Sequence, residues 1–380
     1  MSLFGEQPEP ATTRPRSRRA TVGWTLLIAA VVAALIMSFL PAPYVIEQPG
    51  PVFNTLGSQE QDGKAVDLIT VDGAPTYPTD GTLDMLTVSA IGNPSQSPSW
   101  AQVISAWFDP TKAVVPMWAV YPKGVTTEQR NQQNAQDMTN SQQEAIAAAL
   151  NQLDIPFTTE LGIASVASGG PADGVLVAGD IVLSAGGTPV TAVDQLRSIV
   201  ADNGTDKPLS LVVRHEDGTQ ETLEITPQYS DAIKAPAIGV GGTDVFEFPF
   251  DVDIQLDNVG GPSAGMMFAL GIIDKLTPGE LNGGQSVAGT GTIDAEGTVG
   301  AIGGIRQKMV GARDAGAQYF LAPADNCSEV TGHIPDGLSV FKVSTLADAM
   351  TVLQTIESGG DLSSLPTCDA TASALSDAGQ

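Results

Sequence analysis

The chain has 380 residues, of which 42% are hydrophobic, so it is long enough for two modest domains and too apolar for a disordered protein. Its 43 acidic residues against 17 lysines and arginines give a formal net charge of −26. This balance argues against nucleic-acid binding, which needs clustered Lys and Arg, and suits an acidic exterior in water.

A basic cluster precedes the first apolar segment. Arginines 14, 16, 18 and 19 are followed by an uncharged run over Val22–Leu40. A helix over this run is roughly 28 Å long, enough to cross a bilayer core. A signal peptide is the competing interpretation, but the run is long for its apolar part and no clean Ala-x-Ala site follows. The sequence predicts a cytoplasmic tail over 1–21, a membrane anchor over 22–40, and an extracytoplasmic remainder.

Residues 41–156 predict the first part of a larger domain. The strand-like run Leu83–Val88 suits pairing into a sheet completed later in the chain, and Ser141–Leu153 shows a helical apolar repeat. Between them, Ser95–Tyr121 contains three of the four tryptophans. Contact with a membrane interface and ordinary core packing are two interpretations that stay open.

From about residue 157 to 228 the pattern changes to short β-like runs separated by glycine-rich turns. The runs Pro171-Ala172-Asp173-Gly174 and Gly179-Asp180-Ile181-Val182 resemble a bacterial PDZ domain. PDZ domains capture extended peptides as an added β-strand. The resemblance places the peptide-binding edge near Leu161, Gly162 and Ile163. A PDZ domain that packs on its neighbour and binds no peptide is the alternative.

The segment 229–357 opens its central motif with Gly261-Pro262-Ser263-Ala264-Gly265, followed by the apolar run Met266–Ile273. Pro262 suits the first position of a helix, where its missing N–H costs nothing. We therefore expect Ser263 at or near the N-terminus of a buried helix, where free N–H groups can receive negative charge. Gly-Pro-Ser is also a common turn-and-cap signature, so the serine alone does not establish catalysis.

Lys308 adds a candidate base. The segment Gly304–Ala315 predicts a helix whose apolar stripe includes Ile305 and Met309, and Lys308 falls inside that stripe. Such a lysine either snorkels at the edge or is buried. Burial would lower its pKa and leave a neutral amine, which is the adjacent base that a serine nucleophile needs.

A histidine-based triad has little support. The chain has two histidines, His215 and His333, and neither lies among obvious catalytic partners. A Ser-Lys pair is a known variant of the same chemistry.

Several separated motifs in the same order resemble the proteolytic domain of the Lon-type serine peptidases. They are Gly261–Gly265, Thr290-Gly291-Thr292-Ile293, Gly297–Lys308, Ala315-Gly316-Ala317, Leu321-Ala322-Pro323 and Asn326. The resemblance implies Ser263 as nucleophile, Lys308 as general base, and Thr290 as a group that orients the lysine. Gly261, Pro262 and Ala264 are then the candidate turn and oxyanion positions. Many ATP-dependent Lon enzymes carry an acidic residue where this chain has Gly260, which puts a gating role for that acid in doubt.

No Gly-x-x-x-x-Gly-Lys-Ser/Thr pattern and no cysteine-histidine cluster occur in the chain, so neither ATP nor a metal is expected as a cofactor. Cys327 and Cys368 lie outside the predicted membrane, where a disulfide is permitted, and two free buried thiols are the alternative. The Ser-, Ala- and Asp-rich segment 358–380 is expected to be a flexible tail.

The sequence thus predicts an α/β (α+β) Lon-type proteolytic domain with an inserted, mainly-β PDZ domain, preceded by one transmembrane helix. The expected function is ATP-independent cleavage of unfolded or loosely folded extracytoplasmic polypeptides by Ser263 and Lys308. The resemblance also implies a homo-oligomeric ring, usually a hexamer. A PDZ-based adaptor with an idle Lon-like domain is the alternative.

Overall fold

The computed structural model describes residues 18–61, 63–256 and 259–368. Arginines 14 and 16 of the basic tail and residues 369–380 of the predicted C-terminal tail lie outside this range. The chain divides into two compact units. Unit 1 comprises residues 1–50 with 88–130, and unit 2 comprises residues 51–87 with 131–380.

The helices of the described residues follow, numbered in chain order. They are α1 (Arg18–Phe39), α2 (Trp100–Trp107), α3 (Met117–Val120), α4 (Thr127–Gln152), α5 (Val193–Asn203), α6 (Gly265–Leu276), α7 (Ile305–Asp314), α8 (Cys327–Val330) and α9 (Leu346–Glu357), with 3-10 turns over Ala324–Asn326 and Leu362–Ser364.

The strands are numbered in the same way. They are β1 (Tyr44–Asn54), β2 (Ser58–Gln61), β3 (Lys64–Asp67), β4 (Ile69–Asp72), β5 (Thr82–Ile91), β6 (Ala113–Pro116), β7 (Thr158–Val166), β8 (Ile181–Ala185), β9 (Thr188–Pro189), β10 (Leu209–Arg214), β11 (Gln220–Ile225), β12 (Gln228–Ser230), β13 (Ala235–Ala237), β14 (Val240–Glu247), β15 (Asp251–Ile254), β16 (Ser286–Gly289), β17 (Thr292–Ile293), β18 (Val299–Gly300), β19 (Tyr319–Pro323) and β20 (Ser339–Val343).

Unit 1 contains a helix long and apolar enough to cross a membrane. The window Val22–Phe39 of α1 has a mean hydropathy of 2.3 and no buried residue, a pattern that an N-terminal signal sequence shares. After α1 the first residues of β1 pair antiparallel with β6. A capping box at Ser99 and Gln102 starts α2. A small core of Ala42, Ile46, Val103 and Ala106 holds these elements together.

The main sheet of unit 2 has the order β20-β19-β16-β5-β1. β5 pairs parallel with β16, so strands about two hundred residues apart lie side by side, as predicted for Leu83–Val88. β16, β19 and β20 are also parallel to one another. This sheet is therefore assembled from two separated segments of the chain.

Alternate residues of these strands supply two different cores. Val287, Leu321 and Phe341 belong to a core shared with α4, α6 and α9. Their neighbours Ala288, Phe320 and Val340 belong to a second core shared with α7 and α8. Because strand side chains alternate between faces, the sheet lies between two helical layers, which gives the predicted α/β architecture.

The PDZ-like domain is a second sheet of order β11-β10-β8-β7-β14, with its own core around Leu161, Val182 and Leu211. β14 pairs with β7 from Val240↔Val166 to Glu247↔Thr158. The sheet therefore extends beyond residue 228, the predicted end of the PDZ domain. A boundary near residue 247 follows from this pairing.

The predicted flexible tail is wrong for residues 358–368. Leu362–Ser364 forms a 3-10 turn, and the Pro366 carbonyl accepts a hydrogen bond from the Lys342 N–H at 2.9 Å. Cys368 is joined to Cys327 by a disulfide across 41 residues. The low-complexity composition suggested mobility, but the covalent bridge and backbone pairing fix this segment to the sheet.

Candidate active site

The candidate site lies at the carboxyl ends of the parallel strands. Thr290 follows the last residue of β16, Ser263 lies two residues before α6, and Lys308 is in the first turn of α7. Since α6 and α7 pack on opposite faces of the sheet, their N-termini meet over this edge. Open α/β sheets commonly place their functional sites at such an edge.

Ser263 and Lys308 are in direct contact. Lys308 Nζ lies 2.7 Å from Ser263 Oγ and 2.9 Å from Thr290 Oγ1. The Thr290 hydroxyl in turn donates to the Ser263 carbonyl at 2.9 Å. The lysine amine is therefore held between the two hydroxyl groups that the sequence analysis singled out with it.

Lys308 is buried rather than snorkelling. It is 2% exposed, with Ile305, Met309 and Ala312 of the same helix fully buried around it. Burial disfavours the ammonium form and lowers the pKa of Lys308 to about 7. Near pH 7 a substantial fraction of the amine is therefore neutral, with a lone pair able to accept the Ser263 hydroxyl proton.

The turn that carries Ser263 differs from the expectation for Pro262. Helix α6 begins at Gly265 with Ala264 as its N-cap, so Pro262 precedes the helix instead of opening it. Gly261 has φ +89°, a left-handed conformation that favours glycine. The Pro262 and Ser263 carbonyls bond outside the helix, to Ser141 and Thr290, which explains why the helix starts later.

Helix α4 holds this turn in place. Ser141 Oγ donates to the Pro262 carbonyl at 3.0 Å, and the Gly261 N–H donates to the Asn134 carbonyl at 2.8 Å. A Cβ atom at Gly260 would lie 2.7 Å from the Asn134 Cβ. The close approach of α4 therefore leaves no room for a side chain at the position where many Lon enzymes carry an acid.

The backbone hydrogen bonds of this turn show which of the three candidate oxyanion positions has an amide that is free to donate. Pro262 has no N–H, and the Gly261 N–H is already bonded to α4. Within the described residues the Ala264 N–H has no acceptor. Ala264 is thus the candidate of the three whose amide is free to bind a developing oxyanion.

A polar cavity of about 620 Å³ adjoins the turn. It lies between α4 and the segment leading to Ser263, and it is lined by uncharged residues that include Asn131, Asn134, Gln142, Met138 and Val259. The described residues of the lining offer amide donors and acceptors and carry no charge, which suits a peptide backbone.

The residues predicted as the peptide-binding edge of the PDZ-like domain lie on an inner strand, although Leu161 also lines the cavity between β14 and α5. β7, which contains Leu161, Gly162 and Ile163, pairs with β8 on one side and β14 on the other. Leu161 and Ile163 are buried in the core. The alternation of apolar residues is the same for an inner strand and an edge strand, and β7's second partner lies about eighty residues downstream.

β14 is one of the two edge strands of this sheet, and β11 is the other. A cavity of about 400 Å³ lies between β14 and α5, with apolar residues including Val193, Leu196, Val200, Ile238 and Val240 along it. A free strand edge beside an apolar helix face is the arrangement by which PDZ-type domains add a peptide strand. We call it the β14–α5 groove.

Sequence reasoning missed both Ser141 and this groove. Ser141 is a buried polar residue at the start of an otherwise apolar helical repeat, which is a usable signal for a polar partner nearby. Ile238-Gly239-Val240 follows Pro236 and opens a β-like run. It lay beyond the boundary predicted for the domain.

Comparisons with known proteins agree with this geometry. Residues 257–356 match the family model of the Lon protease (S16) C-terminal proteolytic domain. The matched segment contains Ser263, Thr290 and Lys308.

Curated relatives align over the same region. A Lon protease from Fusobacterium nucleatum is 42% identical over 84 residues, covering 22% of this chain and 10% of that protein. Lon protease 2 from Herpetosiphon aurantiacus is 31% identical over 187 residues, which is 47% of this chain and 22% of that protein. The archaeal Lon protease of Methanothermobacter thermautotrophicus is 34% identical over 115 residues, which is 29% of this chain and 17% of that protein. The chain thus spans between a tenth and about a fifth of the length of these relatives.

Solved structures include the PDZ domain of an SdrC-like protein from Listeria monocytogenes, at 21% identity and a TM-score of 0.20, covering 22% of this chain and 85% of that one. The corresponding domain from Listeria innocua has 20% identity and a TM-score of 0.21, and the match covers 22% of this chain and 92% of that one.

Residues 257–356 match the Lon proteolytic-domain family model, and this segment contains both Ser263 and Lys308. A second sheet with its own core lies between the two segments of the chain that form the main sheet.

Proposed function

We propose that this chain is an ATP-independent serine endopeptidase in which Ser263 is the nucleophile and Lys308 the general base. The observation that carries the proposal is the 2.7 Å contact between Ser263 Oγ and a buried Lys308 Nζ. A lysine removed from water is a suitable base at neutral pH, and a hydroxyl at this distance is its natural substrate for proton transfer.

The reaction follows in two halves. Neutral Lys308 Nζ takes the proton from Ser263 Oγ, and Oγ attacks the peptide carbonyl carbon to give a tetrahedral oxyanion. The Ala264 N–H is our candidate donor to that oxyanion. Collapse breaks the C–N bond, Lys308 returns its proton to the leaving amine, and an acyl ester remains on Ser263. Water then attacks the ester with Lys308 again as base, releasing the carboxylic acid and the free serine hydroxyl.

Thr290 orients the base. Its hydroxyl donates to the Ser263 carbonyl, which leaves a lone pair on Oγ1 facing Lys308 Nζ. Among the described residues, the hydrogen-bond partners of the amine are the Ser263 and Thr290 hydroxyls, and no carboxylate contacts it. A nearby negative charge would have raised the pKa of Lys308 and opposed its role as a base.

We further propose that the substrates are unfolded extracytoplasmic polypeptides. The polar cavity beside Gly260 would hold the substrate backbone, and the β14–α5 groove would bind a second extended segment. The apolar length of α1 supports a membrane anchor, and the Cys327–Cys368 bridge suits an oxidising compartment. Assembly into a ring remains an inference from the resemblance to Lon proteins.

The test is hydrolysis of an unfolded fluorescent protein by the full-length chain without ATP. Wild type, Ser263→Ala and Lys308→Ala are compared from pH 5 to 9. Because the active form of the base is the neutral amine, wild-type activity should rise with pH through about 7, following the lowered pKa of Lys308. Both variants should be inactive at every pH.

A PDZ-based adaptor with an idle proteolytic domain is the second candidate, favoured by the open β14–α5 groove. If all three proteins are folded and equally inactive, while the wild type binds extended peptides tightly, the adaptor replaces the peptidase.

A further inference from the structure

Unit 1 carries a concentration of exposed aromatic residues. Outside α1, the exposed Trp and Phe side chains of the described residues are Trp107 at 56%, Phe108 at 85% and Trp118 at 71%. All three lie at the end of α2 or in α3. Large aromatic residues gathered on one exposed surface usually mark a contact with something other than water.

Helix α2 exposes apolar side chains on its outer face, next to the polar residues Gln102 and Ser105. Val103 and Ala106 face the small core of unit 1, whereas Ile104, Trp107 and Phe108 face outward at helical spacing. A helix at a water-facing surface normally presents polar residues on its outer side. The outer face of α2 is therefore built for an apolar or amphipathic surrounding.

Backbone hydrogen bonds fix both aromatic segments to the end of α1. The Trp100 N–H donates to the Leu40 carbonyl at 3.2 Å, and the Ala42 N–H donates to the Pro98 carbonyl at 2.8 Å, so α2 starts beside the exit of α1. The Met117 N–H donates to the Pro43 carbonyl at 2.9 Å, which places the start of α3 beside the same short segment, residues 40–43, that follows α1.

The region is almost free of charge in a strongly acidic chain. Between Val88 and Tyr121 the charged side chains are Asp109 and Lys112, and these two pair with each other at 3.3 Å. The protein as a whole carries a net charge of −26. A surface without net negative charge avoids repulsion from anionic lipid headgroups.

We propose that the outer face of α2 and the adjoining α3 form an interfacial platform that lies in the headgroup region of the bilayer that α1 enters. The partner is a lipid surface, recognised by aromatic side chains and not by charge. Trp is enriched at this depth, because its ring is apolar and its N–H still reaches a polar partner. The proposal rests on the proposed membrane anchor, and α1 supplies the continuity between the two.

The four tryptophans of the chain allow a direct test. Four full-length proteins each keep one of Trp24, Trp100, Trp107 and Trp118, with the other three changed to Phe, in phosphatidylcholine nanodiscs that hold one chain each. Fluorescence is quenched either by a lipid with a nitroxide headgroup or by acrylamide in water. Trp24 reports whether α1 is inserted. Both Trp100 and Trp107 contact the Tyr44 ring, but Trp100 is half-buried against the small core and Trp107 is 56% exposed, so Trp100 is the matched protein-packed control.

We expect nitroxide lipid to reduce the Trp107 and Trp118 emission at least roughly twofold, as for side chains at headgroup depth, and acrylamide to quench them weakly. The quenching should be the same at low and high salt. If Trp24 is shielded from acrylamide while Trp107 and Trp118 are quenched by acrylamide alone, the platform is overturned and the anchor stands. If Trp24 is also open to acrylamide, the anchor itself fails. Shielding of Trp107 that appears only in discs with several chains would assign the surface to a second copy of this chain and overturn the proposal.

Discussion

The proposed catalytic centre and the β14–α5 groove differ in how far their side chains are exposed to water. At the centre, Lys308 and Thr290 are buried and satisfy each other's hydrogen-bonding groups together with Ser263. In the groove, apolar side chains and an unpaired strand edge stay open. The proposed proton transfer requires an amine that is removed from water, whereas peptide binding requires apolar side chains that remain exposed to water until the peptide covers them. The two regions should therefore respond independently to substitution.

Lys308→Arg should have the largest effect. Arginine keeps the positive charge and cannot lose its proton, so Ser263 would have no base at any pH. We expect hydrolysis to fall by roughly a thousandfold or more, as for removal of a catalytic acid–base group. The measurement is kcat/KM across pH, together with peptide affinity in the β14–α5 groove, which should not change. Residual activity that still follows a midpoint near pH 7 would contradict the role of Lys308.

Removal of the disulfide tests whether the domain that carries Ser263 and the PDZ-like domain with its groove unfold independently. Cys327→Ser with Cys368→Ser opens a loop of 41 residues, which costs about 4 kcal/mol of unfolding free energy in the chain-entropy model. The loss should appear in the transition of the proteolytic domain, measured by urea unfolding. Since the bridge is outside the PDZ-like core, peptide affinity in the groove should be retained below the transition. An unchanged urea midpoint would show that packing alone secures the C-terminal segment.

Val193→Asp places a charge in the groove and should impair peptide binding without affecting hydrolysis, the opposite of the effect expected for Lys308→Arg. A carboxylate on this apolar wall loses hydration when a peptide binds, so affinity for a labelled peptide with three apolar C-terminal residues should fall about tenfold or more. Hydrolysis of a short chromogenic peptide by Ser263 should be unaffected. Ser198→Asp adds the same charge on an exposed position of α5 outside the groove lining and is the matched control. Equal losses in both variants would assign the effect to general repulsion.

Ser141→Ala should have the smallest effect. The variant loses one hydrogen bond to the Pro262 carbonyl, worth about 1 kcal/mol, and so loosens the turn that carries Ser263. Because Ser141 positions the nucleophile, kcat should fall roughly fivefold with little change in KM. Thr351→Ala removes an exposed hydroxyl that bonds only within α9 and should leave both constants unchanged. A rise in KM alone would mean that Ser141 shapes the substrate cavity instead.

The sequence predicted the residues of the centre better than their surroundings. Ser263, Thr290 and Lys308 lie in motifs with strong local character, and the buried stripe of α7 directly explains the position of Lys308. Ser141 was not predicted, because its contact with Pro262 depends on packing between segments more than a hundred residues apart.

The errors have a common physical origin. The edge at Leu161–Ile163 was misplaced because strand order is not encoded in one strand's alternation, and β14 covers that edge. The tail from residue 358 looked mobile by composition, but its anchoring to Lys342 and Cys327 is a long-range contact. Local patterns identified the elements, whereas partners distant in sequence decided which side chains were free.

The pairing of Thr158 with Glu247 has a consequence for how the molecule assembles. The ends of the PDZ-like domain lie next to each other, so once its separate core has formed, the residues between them no longer lengthen the loop that β5 and β16 must close. The inserted domain can fold early from nearby contacts, whereas the parallel strands that position Ser263 and Lys308 must wait for the last part of the chain. If Ser263 and Lys308 act as proposed, the nucleophile and its base come together only after this last part of the chain has been made, so the unfinished chain would be inactive.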